Sequence, residues 1–151
     1  MNPKRYKAEC EVFHMKGLSP EMAQFYDLGT AKAHLEMFAR TNDGTLYKMY
    51  FDLKTFPEFV PDVHVTRVLS DGKTEALTDS HGTSLDGCSA EMHTLTSLKE
   101  GWTRICHYNP RLWTPNVSLY KIYVKVCIWL NVYEASRKNG NTIDHYLPHQ
   151  G

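Results

Sequence analysis

The sequence predicts an α+β fold: a small antiparallel meander sheet, helices packed on one side of it, and a long buried helix in the last third of the chain. Two patterns carry this expectation. Between Ala33 and Leu77 apolar and polar residues alternate in stretches separated by short turn signals, the period of half-buried strands. From about Asn116 to Arg137 the apolar residues recur at helical spacing instead. The order helix, meander, proline-broken loop, long helix fits helices gathered on one face of an antiparallel sheet.

The 151 residues suit a single domain, which at this size buries roughly 70% of its unfolded surface. Residues 1–32 read as a helical region. Tyr6, Cys10 and Phe13 have helical spacing within residues 4–16 and Gly17 follows as a stop, although Ala8, Cys10 and Val12 also alternate. Ser19-Pro20-Glu21 has the form of an N-cap with proline at the first helical position, opening a helix through Met22, Phe25 and Tyr26 to Gly29. Ala33, Leu35, Met37 and Ala39 then alternate with His34, Glu36, Phe38 and Arg40 as a strand. Asn42-Asp43-Gly44 turns the chain into a returning strand, Leu46 to Leu53. Pro57 and Pro61 interrupt the sheet, because proline brings no ladder donor. Val63 to Leu69 is the third strand, and a turn at Ser70-Asp71-Gly72-Lys73 leads to a short one at Thr74 to Leu77.

Residues 70–91 form an inserted surface segment, of which 79–91 are rich in Asp, Ser, Gly and Thr. Met92 to Leu98 is a brief extended or helical piece, and Trp102 to Cys106 a last short strand. In the long helix Tyr120, Tyr123, Cys127 and Leu130 share one face, and Ser118, Lys121 and Lys125 form a polar stripe. Ile128, Trp129 and Val132 extend the apolar surface nearly all round, which predicts burial on most sides. Asn139-Gly140-Asn141 ends it, and Ile143, Tyr146 and Leu147 let the tail dock.

Formal charge is zero, with 17 basic and 17 acidic residues and no basic block, so the footprint of a nucleic-acid binder is missing. The longest apolar run near the C-terminus, Val126 to Leu130, falls far short of the ~20 residues a membrane span needs. No apolar signal-peptide core follows Met1-Asn2-Pro3-Lys4-Arg5. Cys10, Cys88, Cys106 and Cys127 have no tight spacing and suit free thiols in a reducing cytoplasm.

Cys106 is the candidate nucleophile. It follows a strand, lies between Arg104 and His107, and precedes a segment full of structure breakers, so its thiol falls on an irregular stretch with positive neighbours. The competing reading is a small buried hydrophobe at a strand end. Cys127 and Cys10 read as core, and Cys88 as an exposed thiol without chemical company. A metal site from Cys88, His93, Cys106 and His107 matches no zinc spacing. His34-Leu35-Glu36 has the His-x-Glu of zinc deaminases without the Pro-Cys-x-x-Cys that must accompany it. Gly-x-Ser-x-Gly and the phosphate-cradling and dinucleotide glycine patterns are missing. The sequence therefore implies no cofactor. His14, His34, His64, His81, His145 and His149 fall on polar faces or loops as solvated residues, which leaves His93 and His107 as the histidines of interest.

Taken together, these motifs and their order resemble the ubiquitin-conjugating family. Phe56-Pro57-Glu58-Phe59-Val60-Pro61-Asp62-Val63 is similar to that family's Tyr-Pro-x-x-x-Pro-x-Val. Ile105-Cys106, followed by Trp113-Thr114-Pro115 and a helix, is similar to its active-site line. Bacterial members are closer still: His93, Gly101, Cys106-His107-Tyr108-Asn109-Pro110, Trp113-Thr114-Pro115, Trp129-Leu130-Asn131-Val132-Tyr133-Glu134 and Gly140 resemble their pattern in order and spacing, over roughly residues 33–145 with 70–91 outside it.

The resemblance implies a transferase. Cys106 would accept a ubiquitin-like modifier from an activating enzyme as a thioester and pass it to an amine of a target protein. It further implies a bacterial conjugation operon, of a kind that includes antiphage defence systems. The partners would be the activating enzyme, the modifier and the target, with neither nucleic acid nor membrane. The His-Pro-Asn triplet of eukaryotic members is absent, since Thr94 and Leu95 follow His93. His93, His107 and Asn109 are the side chains that could support the oxyanion, with nearby backbone N–H groups as an alternative. His107 could instead deprotonate the amine, if its imidazole titrates near neutral pH. Two rivals are an inert binder of modifier or target on the same fold, and a thiol hydrolase needing a Cys-His-Asn or Cys-His-Asp geometry.

Overall fold

The computed structural model describes residues 1–147; residues 148–151, which carry His149, lie outside the described residues. The first helix, α1 (Pro3–Met15), takes the helical rather than the alternating reading: Asn2 caps it by accepting the Arg5 N–H at 2.8 Å, and Pro3 sits at its start. Ser19-Pro20-Glu21 does start helical geometry, but only for one 3-10 turn, Pro20–Met22. The helix expected to run on to Gly29 is instead strand β1 (Ala23–Tyr26), paired from Ala23↔Met37 to Tyr26↔His34. Four residues spaced for either structure take the one that satisfies their backbone groups against a partner strand.

That partner is β2 (His34–Arg40), followed by β3 (Leu46–Asp52), β4 (Val63–Val68), β5 (Thr74–Glu75), β6 (Thr94–Leu95) and β7 (Thr103–Ile105). All pairings are antiparallel, in the order β1-β2-β3-β4-β7-β6, with β5 a short flap on β4. The fourth expected strand is thus only two residues long, and Leu77 beyond it is buried in the core. The register aligns Leu35, Phe51 and Val63 in one row and Met37, Met49, Val65 and Thr103 in the next, all fully buried. The alternate residues Glu36, Tyr50, His64 and Arg104 line the opposite face. His64 there is buried, not solvated: Trp102 lies 5.5 Å from its ring, its Nε2 accepts the Leu98 N–H at 3.2 Å, and burial lowers its pKa.

The long helix, α2 (Leu119–Asn139), starts three residues later than its spacing suggests. Ser118 is its cap, accepting the Lys121 N–H at 3.1 Å, and Gly140 ends it in the left-handed conformation at φ 73°. Leu119, Ile122, Val126, Trp129, Leu130 and Tyr133 face the sheet, and the aliphatic ones contribute about 1.5–3 kcal/mol each. They join Phe13 of α1 and the buried strand rows in one core, so both helices lie on one side of the sheet. The helix is not buried all round: Val124 and Ile128 are exposed, and Tyr120, Tyr123 and Cys127 are half-buried flanks. Among the described residues no helix is long and apolar enough to cross a membrane.

Polar side chains fasten these layers. Glu134 accepts from the Thr41 hydroxyl at 2.6 Å and the Tyr47 hydroxyl at 2.9 Å, tying α2 to the turn after β2 and to β3. The Tyr133 hydroxyl exchanges hydrogen bonds with the backbone of Thr78, and the Trp129 indole donates to the carbonyl of Met92 at 3.0 Å. The Trp129, Tyr133 and Glu134 motif is therefore a set of struts. Its indole braces the residue just before His93.

Candidate functional site

Cys106 follows β7 immediately, and its N–H continues the ladder by donating to the carbonyl of His93 at 2.9 Å. There the regular strand stops, and Asn109 caps a 3-10 turn, Pro110–Leu112. The segment after Cys106 lies against the proline loop, and together they wall a groove of about 430 Å³ that includes Cys106, Glu58, Phe59, Val60 and Tyr108.

Two prolines leave the loop without ladder partners, so its carbonyls take side-chain donors. The Trp113 indole donates to Pro57 at 2.9 Å and His107 Nε2 to Pro61 at 2.8 Å. Arg104 reaches Asp62 at 2.6 Å. Phe56 is buried beneath, with Trp113 edge-on at 6.2 Å and the Arg5 guanidinium 4.9 Å from its ring centre. The two stretches singled out by their separate motifs, 56–63 and 105–115, are bound to each other.

The thiol of Cys106 is half-buried. Burial raises its pKa, nearby Cys88 raises it further, and Arg104 acts the other way. The sequence places positive neighbours beside this cysteine, yet desolvation outweighs them and the thiol stays protonated at neutral pH. One reason is that Arg104 is already paired with Asp62.

His107 differs most from expectation. Its Nε2 meets a carbonyl, which only accepts, so that nitrogen carries the proton. Burial drives the pKa down to about 4, against the pull of the Pro61 carbonyl, and the ring is neutral at pH 7. Nδ1 is buried and has no hydrogen-bond partner among the described residues. The imidazole is thus a strut of the groove wall, poorly suited to collect a proton from an amine.

His93 lies directly across the ladder from Cys106 with φ at 53°, a strained value for a residue with a side chain. Its ring turns to helix α3 (Ile143–Tyr146), where Nε2 is 3.0 Å from Asp144 Oδ1. Asp144 is itself anchored, donating its N–H to Glu91 at 2.7 Å. Asn109 is exposed, and its side-chain oxygen accepts the Arg111 N–H at 3.0 Å. His93 and His107 therefore flank Cys106 through the backbone, and their rings make polar contacts with Asp144 and Pro61.

The sequence reading gave Tyr108 and Lys125 no role at the site and weighed Cys88 beside Cys106 only as a metal ligand. Tyr108 lines the groove, its ring edge-on to Trp113 at 5.4 Å, and Lys125 of α2 rests 3.9 Å from that ring's centre. Cys88 comes near Cys106 because Ser89 bridges Thr94, which pairs with Ile105. Only the pairing of distant segments reveals these neighbours. Among the described residues no three or more His, Cys, Asp and Glu side chains gather as a metal site. The chain matches no family model, no curated protein and no solved structure.

Proposed function

We propose that this protein is a group-transfer enzyme of the ubiquitin-conjugating kind, carrying the carboxyl terminus of a ubiquitin-like modifier on Cys106 as a thioester and releasing it to an amine. The carrying observation is the groove: a half-buried thiol at a strand end, facing a proline loop that Trp113 and His107 hold in place. Loading requires attack by the Cys106 thiolate on the activated carboxyl and departure of the activating enzyme's thiol. Release requires attack by a neutral amine, with the Cys106 sulfur as leaving group. A neutral His107 leaves amine deprotonation to another group or to solvent. Oxyanion support falls to N–H donors around the groove. The setting proposed is a bacterial conjugation system directed against phage, in the cytoplasm.

A second reading, an inert binding module on the same fold, draws on the raised Cys106 pKa. One experiment separates the two. The protein is mixed with ATP and the activating enzyme and modifier encoded by neighbouring genes, then run with and without reductant. A reductant-sensitive adduct that survives Cys88→Ala and disappears in Cys106→Ala is expected; no adduct in the unmodified protein favours the binding module.

A further inference from the structure

The sheet face turned away from the helices carries a second cleft, of about 620 Å³, whose lining shares only Asp62 with the Cys106 groove. Part of its wall is aromatic. The rings of Tyr50 and Trp102 stack at 3.8 Å, 18° from parallel, and Lys99 holds its Nζ 4.1 Å from the Trp102 ring centre. Tyr50 occupies one face of that indole, so the ammonium lies over the other. Lys99 is exposed, and its flexible stem lets a flat ring take its place on the indole while the ammonium stays within reach.

Charge in the cleft is unevenly committed. Of the carboxylates lining it, Glu36 is held by Lys48 at 2.5 Å and His34 at 3.0 Å, Asp62 by Arg104 at 2.6 Å, and Asp52 stands 3.5 Å from Lys54. Lys32 and Lys99 line the same cleft, and among the described residues neither has a carboxylate partner. The uncommitted charge is therefore positive.

A buried donor adds a second, independent requirement. His64 lines the cleft and is only 6% exposed. Its Nε2 accepts the Leu98 N–H at 3.2 Å, and burial lowers its pKa, so the neutral ring carries its proton on Nδ1. Among the described residues nothing accepts from that Nδ1–H. Unlike Nδ1 of His107, it is not sealed off by its surroundings and opens on the cleft. A buried donor left unmatched is unfavourable until an acceptor enters. His64 feels the charges of Asp52 and Asp62, so an uncharged acceptor suits this position better than an anion.

We propose that this cleft binds a planar heteroaromatic acid, with its ring against Trp102, a ring nitrogen or carbonyl oxygen accepting from His64 Nδ1–H, and its anionic group at Lys99 and Lys32. Stacking on the indole supplies contact area, the histidine fixes the ring's orientation, and the lysines select its charge. Heteroaromatic carboxylates and nucleoside monophosphates share this chemistry. The inference does not depend on the role given to Cys106.

The test is calorimetric titration of the full chain with quinoline carboxylate and with adenosine monophosphate. Three analogues each lack one element: naphthoate the ring acceptor, quinoline the charge, and cyclohexane carboxylate the flat ring. Saturable binding of at least one of the two probes is expected, and whichever binds more tightly names the source. Each analogue should bind at least about fivefold more weakly than that probe, and Lys99→Ala should weaken the probe by a similar factor. Lys121→Ala, on α2 across the sheet, should leave affinity unchanged. In nitrogen-labelled protein the His64 Nδ1 resonance should move on saturation while that of His107 stays in place, a readout that needs no variant. Failure of both probes to bind overturns the inference. So does binding that Lys99→Ala leaves intact, an analogue that binds as tightly as the probe, or a response at His107 in place of His64.

Discussion

Glu9 accepts the backbone N–H of Leu119 at 3.2 Å, so a buried carboxylate of the first helix caps the start of the long one. Arg5 completes the junction. It pairs with Glu9 at 2.9 Å and donates to the carbonyls of Pro115 and, at 2.9 Å, Val117. Glu9→Ala removes the acceptor of a helix-start donor and the counter-charge of a half-buried guanidinium, so a loss of about 2–4 kcal/mol is expected. Glu9→Gln keeps the acceptor and should lose about half as much. Urea denaturation midpoints of the two variants check this order.

His107 makes stability depend on acidity. Its folded pKa of about 4 lies below the ordinary imidazole value of 6.5, so between these values the unfolded chain binds more protons. Stability therefore rises with pH through this window, is complete above about 6.5, and falls as pH drops towards 4. The swing is on the order of 3 kcal/mol. His64, also lowered by burial, adds in the same direction. His107→Gln should flatten the profile of unfolding free energy between pH 4 and 7, and an unchanged slope would contradict the assignment.

Trp113→Phe deletes the donor to Pro57 and keeps most of the ring. A loss of about 1 kcal/mol is expected. Hydrogen exchange should quicken at residues 58–60 well before it does in β2 and β3, because the bond holds the loop and not the sheet.

Cys106 should react slowly at neutral pH. With its thiol pKa raised, the thiolate fraction grows about tenfold per pH unit up to and beyond the ordinary thiol range. Iodoacetamide at pH 7 is expected to label exposed Cys88 first, and Cys106 labelling should keep accelerating past pH 9. Arg104→Ala should slow Cys106 further, since it removes a nearby charge that favours the thiolate. Peptide mapping after timed quenching reads all three rates.

What the chain revealed before folding follows the range of the interactions involved. The meander was legible because Leu35, Met37, Met49 and Phe51 alternate locally, and the end of α2 because Gly140 takes a conformation that suits glycine. Residues 23–26 were misread since nothing local separates a second helical turn from a strand that borrows β2 as partner. Burial of Glu9 was invisible because its acceptor role lies with Leu119, far along the chain. At the site, Cys106 and the proline loop were legible as spacing. The state of its neighbours was not: desolvation of His107 and the pairing of Arg104 with Asp62 exist only once the groove has closed.

The proline loop is held by its main chain: the atoms gripped are the carbonyl oxygens of Pro57 and Pro61, while exposed Glu58 and Phe59 between them contribute side chains to the groove. Frame and facing are thereby separable. Residues 58–60 are free to drift in size and charge, retuning which chain end the groove admits, while the hydrogen bonds that keep the wall upright stay indifferent to the change. A panel of substitutions at Phe59 is the natural place to alter selectivity without loosening the fold.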